Sequence, residues 1–222
     1  PGPSVAEAQA SGSDSVLTVG HFLDWENVSS PRISPDGARI LYERSHVDVQ
    51  KDTWTSEIWI MDTDGSRKRK LVEGSSPRWS PDGRWIAYGA EGEPGGPQVH
   101  VLWLGEEGVP TQVTRVQETP RDLQWAPDGE RISFLMHVPD EQGWQVEIPS
   151  PPEGAEWTGP PEVVHRIHYR ADGVGDLDEG WTHLFTVPAT GGTPRQITSG
   201  DWHVGARFDG LPFGGGYDWT PD

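Results

Sequence analysis

One tetrapeptide, Ser34-Pro35-Asp36-Gly37, returns as Ser80-Pro81-Asp82-Gly83 and as Ala126-Pro127-Asp128-Gly129. The chain ends inside a further copy, Thr220-Pro221-Asp222. The first three prolines stand 46 residues apart, and the last follows after 94, about two periods. A period in this range means a repeat architecture. Proline presets φ for the first central position of a type I turn, and glycine takes the next left-handed position at no steric cost. A type I turn followed by a left-handed residue is a common hairpin connection. Each Pro-Asp-Gly therefore predicts a hairpin between two antiparallel strands. The flanks agree, since Pro31-Arg-Ile-Ser34 and Ala38-Arg-Ile-Leu-Tyr42 overlay Pro77-Arg-Trp-Ser80 and Arg84-Trp-Ile-Ala-Tyr88. Asp122-Leu-Gln-Trp-Ala126 and Glu130-Arg-Ile-Ser-Phe134 form the third pair.

More strands follow in each repeat. Glu57-Ile-Trp-Ile-Met61, the turn Asp62-Thr-Asp-Gly65 and Arg69-Lys-Leu-Val72 complete the first, and Val99–Leu104 with Thr111–Thr114 the second. His183–Val187, Ala189-Thr-Gly-Gly192 and Arg195–Thr198 complete the third. Four antiparallel strands in roughly 45 residues are the signature of a β-propeller blade. The third repeat holds an insert between Met136 and His183, with Pro149-Ser-Pro-Pro152, Gly159-Pro-Pro161 and a strand-like Glu162–Tyr169. It reads as one blade with an insertion rather than two blades, because Ala171-Asp-Gly173 near the midpoint lacks the proline. Helical periodicity is confined to the lead-in, Val19–Asn27.

The predicted fold is all-β, a partial β-propeller of three four-stranded antiparallel blades plus the start of a fourth. The predicted bounds are a disordered leader or signal-peptide remnant over 1–18 and an incomplete propeller over 19–222. Blades fall at 30–74, 75–115 and 120–199, with the next starting at 217–222. Three blades do not close a ring of the usual 4 to 8. Open blade faces are apolar, so the isolated chain is expected to self-associate or to need further blades. Ala8-Gln-Ala10 fits a small-residue signal-peptidase site, which favours a periplasmic or secreted location over a cytoplasmic one.

Lys and Arg number 17 against 35 Asp and Glu, a net charge of −18. That balance excludes a general binder of nucleic acid or anionic membrane, which needs a basic face. There is no cysteine, hence no disulfide, thiolate metal site or cysteine nucleophile. No apolar run approaches a membrane span.

The repeats and their flanks resemble the N-terminal propeller of the prolyl oligopeptidase family of serine peptidases, in its acylaminoacyl-peptidase and dipeptidyl-peptidase-like branch. The resemblance covers Thr18 to Asp222. It is carried by His21-Phe-Leu-Asp-Trp-Glu-Asn-Val-Ser-Ser-Pro-Arg-Ile-Ser-Pro-Asp-Gly37, by Ser56-Glu-Ile-Trp-Ile-Met-Asp62 and by Arg166-Ile-His-Tyr-Arg-Ala-Asp-Gly-Val-Gly175. Thr182-His-Leu-Phe-Thr-Val187 and Pro194-Arg-Gln-Ile-Thr198 add to it. The tetrapeptide alone is shared with TolB-type interaction propellers, the alternative reading. The resemblance implies a C-terminal α/β-hydrolase domain with a nucleophile elbow. It also implies further blades, peptide substrates, and a propeller that gates access to the hydrolase site.

The chain itself offers no catalytic, cofactor-binding or metal residue to name. Gly-x-Ser-x-Gly is absent, and Gly12-Ser-Asp-Ser-Val16 is the nearest approach. The alternating context around His165 and His168 predicts a strand, which would put the two on opposite faces. Asp62, Asp64 and Gly65 begin like a calcium loop but lack its later ligands. Asp172, Asp176, Asp178 and Glu179 read as a solvated acidic loop. Glu106-Glu107 does not match the surroundings of the paired glutamates that dipeptidyl members use. Trp79, Trp85 and Trp125 are expected to fill space between blades.

Overall fold

A computed structural model describes residues 18–105, 108–140, 149–155, 157–158, 170–172, 175–176, 179–205 and 216–220. The leader, Glu106-Glu107, Glu162–Tyr169 with its two histidines, Asp178 and Pro221-Asp222 lie outside the described residues. The first element is α1 (Val19–Leu23), followed by β1 (Glu26–Ile33), β2 (Arg39–Asp48), β3 (Thr53–Asp62) and β4 (Arg69–Glu73). The helix is shorter than predicted, because Glu26 and Asn27 already pair with His46 and Ser45 of β2.

The second sheet comprises β5 (Ser75–Trp79), β6 (Trp85–Glu91), β7 (Pro97–Trp103) and β8 (Thr111–Gln112). The third comprises β9 (Arg121–Trp125), β10 (Arg131–Pro139), β13 (Gly180–Pro188) and β14 (Arg195–Gln196). A short hairpin, β11 (Arg170–Ala171) with β12 (Gly175–Asp176), stands in sequence between β10 and β13. Each four-stranded sheet is an antiparallel meander, and the fold is a partial β-propeller of three blades. β10 pairs directly with β13, from Arg131–Pro188 to Pro139–Gly180, so the residues between them are an insertion within one blade.

The outer strands β8 and β14 end earlier than the sequence predicts. Threonine hydroxyls explain this, since Val99 N donates to Thr114 Oγ1 at 2.8 Å and Leu184 N donates to Thr198 Oγ1 at 2.9 Å. Each side chain takes the acceptor place that a further strand carbonyl would fill.

The hairpin turns form as predicted. Gly37, Gly83 and Gly129 have φ of 73°, 68° and 72°. Their N–H groups donate to the carbonyls of Ser34, Ser80 and Ala126 at 2.8, 2.9 and 2.9 Å. Ser80 Oγ donates to Asp82 Oδ1 at 2.6 Å and accepts from Trp85 N at 2.9 Å. Ser34 and Asp36 repeat the arrangement; Ala126 lacks the hydroxyl, and only the Glu130 N to Asp128 Oδ1 bond of 2.8 Å remains. The Ser80 hydroxyl and the Arg84 N–H hold the Asp82 carboxyl down to about 2, from an ordinary 3.8. A lowered folded pKa means stabilisation that is present above about pH 4 and lost as pH falls towards 2. Asp82→Asn is therefore expected to flatten the fall of melting temperature between about pH 4 and 2. An unchanged slope would show that the turn carboxylate contributes nothing there.

Between neighbouring blades β5 touches β1, β2 and β3, and β9 touches β5 and β6; β1, β5 and β9 are the first strands of their blades. Those strands form the inner edge of the fan. Between the blades lie two apolar layers. Leu41, Ile58 and Ile60 of the first blade meet Ile86, Tyr88 and Leu102 of the second. Ala87, Val99, Val101 and Val113 of the second meet Leu123, Ile132, Phe134, Phe185 and Val187 of the third. Alternation along β6 explains the split, with Ile86 and Tyr88 facing one way and Ala87 the other. A strand buried on both faces reads as a continuous apolar run, as Trp85-Ile-Ala-Tyr88 does.

Candidate functional site at the inner edge of the blades

Each inner strand carries an irregularity at the same repeat position. Ser30, Ser76 and Asp122 have φ of 54°, 55° and 50°. Register shifts accompany them between Ser29 and Arg32 and between Ser75 and Arg78. A third shift, between Ser133 and Leu135, lies on the strand facing Asp122. Serine and aspartate tolerate the left-handed region better than bulkier residues do. The bulge twists the inner strand and re-aims the residues that follow.

The next residues divide into two sets. At the third position after the bulge, Trp79 Nε1 donates to Arg32 O at 2.9 Å, and Trp125 Nε1 donates to Arg78 O at 3.2 Å. Each indole thus ties its inner strand to that of the blade before. The Arg39 guanidinium lies 5.1 Å from the Trp79 ring centroid, and its Nη2 donates to Gly83 O at 3.1 Å. Trp85 does not share this role. It pairs across the sheet with Trp103, and both are partly exposed, at 38% and 42%. Its place next to the Pro-Asp-Gly turn puts it at the end of the blade, which corrects the predicted interblade position.

Trp219 extends the series past the third blade. Its Nε1 donates to Ser133 Oγ at 2.9 Å, and Gln124 Nε2 donates to Tyr217 O at 2.9 Å. The Tyr217 hydroxyl donates to Asp122 O, and burial pushes it up to about 12. Residues 216–220 therefore lie against the third blade.

At the second position after the bulge stand Arg32, Arg78 and Gln124. Arg78 Nη1 donates to Pro77 O at 3.0 Å. Burial, and then the like charge of Arg32, lower the Arg78 pKa; Asp122 and Tyr217 oppose the shift. Asp62 and Asp64 serve their turn, Asp62 accepting from Arg67 Nε at 2.5 Å and Asp64 from Ser66 N at 2.8 Å. Asp172 is exposed, and the Glu179 carbonyl lies 3.2 Å from His137 Nε2. Among the described residues no three His, Asp or Glu side chains converge as a metal site would require.

A second concavity lies where α1 meets the first blade. Trp25, Glu26, Asn27, Ser45 and Trp54 line an open pocket of about 500 Å³. Phe22 stands 5.5 Å from Trp25 and 6.3 Å from Trp54, ring centroid to centroid. Sequence reasoning gave Trp54 no role, because its partners lie some 30 residues away and only the fold brings them together. Among the described residues no helix is long and apolar enough to cross a membrane.

The stacked four-stranded blades of the described residues define a propeller segment. No protein-family model matches the chain. It is 30% identical over 188 residues to the uncharacterized peptidase YuxL of Bacillus subtilis, covering 83% of this chain and 28% of that protein. It is 26% identical over 137 residues to dipeptidyl-peptidase 5 of Porphyromonas endodontalis, covering 59% of this chain and 19% of that protein. Its fold is similar to that of Pyrococcus horikoshii acylaminoacyl peptidase, with a TM-score of 0.56 and 18% identity, covering 76% of this chain and 24% of that one. The chain thus spans less than a third of the length of the curated relatives it matches. The chain is similar to the N-terminal propeller region of prolyl-oligopeptidase-family peptidases.

Proposed function

We propose that the chain is the non-catalytic propeller portion of a serine exo- or oligopeptidase, and that it gates peptide access to an α/β-hydrolase domain of the whole protein. The observation that carries this reading is the 30% identity to a bacterial peptidase across 83% of the chain. The inner edge supports it. Bulged inner strands tied by Trp79 and Trp125 make a stiff wall, and a stiff wall is what a size filter needs. Short peptides pass such a wall and reach the hydrolase; long chains and folded proteins do not. The chemistry belongs to the hydrolase, because no Gly-x-Ser-x-Gly elbow occurs in these 222 residues.

Purified 1–222 is expected to leave acyl-amino-acid and dipeptide chromogenic substrates intact, while the full-length protein cleaves them. Inhibition of the full-length protein by a serine-directed reagent should be complete. Hydrolysis by 1–222 itself, with contaminating peptidase excluded, would overturn the assignment.

A further inference from the structure

We propose that the aromatic patch of Phe22, Trp25 and Trp54 is the surface on which the α/β-hydrolase domain of the whole protein docks. This rests on the gating role proposed above, since a filter works only where its rim is closed against the domain it guards.

Topology selects the end of the fan. Each blade is a meander of four antiparallel strands, an even number, so the chain enters and leaves a blade at the same end. In the first blade that end is marked by Glu26, where β1 begins opposite His46, and by Trp54 of β3 opposite Val47. The Pro-Asp-Gly turns stand at the other end. A domain that follows a whole number of such blades is therefore tethered at the end where α1 enters. The matched region makes up 28% of the Bacillus subtilis relative, so a protein of that length has room for such a domain.

The same end carries the apolar surface. Trp25 and Trp54 are 52% and 48% exposed. Phe22, itself exposed, touches both indoles, so the three rings form one patch beside an open pocket. Leu23 on α1 and Val49 at the tip of the β2–β3 hairpin add exposed apolar surface. The Pro-Asp-Gly end presents the exposed carboxylates of Asp36, Asp82 and Asp128, one in each blade. Trp85 at that end directly follows Arg84, which is paired with Asp82. Interface cores are rich in aromatic residues and poor in charge, which fits the α1 end and not the other.

Two measurements on the full-length protein test the assignment. Hydroxyl-radical footprinting compares tryptophans within one molecule. Trp25 and Trp54 are more exposed in this structure than Trp85 and Trp103, so left uncovered they would oxidise at least as fast. With the hydrolase docked, they are expected to oxidise at least about fivefold more slowly than Trp85 and Trp103, because an interface core excludes water. Equal or faster oxidation of Trp25 and Trp54 overturns the proposal. A photoreactive benzoylphenylalanine in place of Trp54 then identifies what covers the patch. Adducts are expected on residues that follow the last blade. Adducts on the segment before Thr18, adducts on a second copy of the chain, or no adduct at all overturn the proposal. If that variant does not fold, the same probe at the exposed Val49 decides. A failure of the gating reading looks different. Long and short peptides cleaved alike contradict the filter even with Trp25 and Trp54 protected, whereas freely oxidised Trp25 and Trp54 contradict the docking even with the filter intact.

Discussion

Phe134→Ala is expected to destabilise the chain by about 4 kcal/mol, as Phe to Ala changes in closed cores do. Phe134 is fully buried on β10, and its ring stacks on Phe185 of β13 at 5.8 Å with an interplanar angle of 11°. The same ring helps to close the layer against Val99, Val101 and Val113 of the preceding blade. Truncation thus opens a cavity at once within the third blade and between two blades, with no mobile side chain to fill it. Phe134→Leu keeps most of the volume and should cost roughly 1 to 1.5 kcal/mol. Urea midpoints followed by tryptophan fluorescence measure both. A loss below about 1 kcal/mol for the alanine variant would mean that the blades are not joined through this layer.

Trp79→Ala is expected to cost about 3 kcal/mol, at the lower end for a large aromatic because the indole is only partly buried. Three contributions are lost together. The ring packs against the layer formed by Leu41, Ile58 and Ile86. Its Nε1 bond to Arg32 O spans two blades. Its face carries the Arg39 guanidinium. Trp79→Phe keeps an aromatic surface but leaves Arg32 O without its donor, for a cost of about 1 kcal/mol. The contrast between the two variants separates packing from hydrogen bonding. Equal costs would show that the indole bond dominates.

The blades were legible because Pro-Asp-Gly is decided locally. A proline, a short acceptor side chain and a glycine in sequence leave the backbone almost one choice, so Gly37, Gly83 and Gly129 are left-handed as their turns require. The interblade place of Trp79 and Trp125 was legible for a related reason, because a large apolar residue recurring beside the turn needs a wall. Trp85 recurs in no other repeat, where Arg39 and Arg131 stand instead, and it proved to lie at the blade end.

The inner edge was less legible. Ser30-Pro31 and Ser76-Pro77 do not announce a left-handed serine, and Asp122-Leu123 shares neither residue. The conformation there is set by the bulge against the neighbouring strand, and only the common spacing of 46 could have marked it.

The most direct test of the account is the length dependence of cleavage by the full-length protein. A fluorogenic short peptide and the same sequence embedded in a long unstructured chain present the same scissile bond. The account predicts efficient cleavage of the short form and a kcat/KM lower by about two orders of magnitude for the long one, a barrier of about 2.7 kcal/mol imposed by the propeller. Equal kcat/KM for the two forms would contradict it.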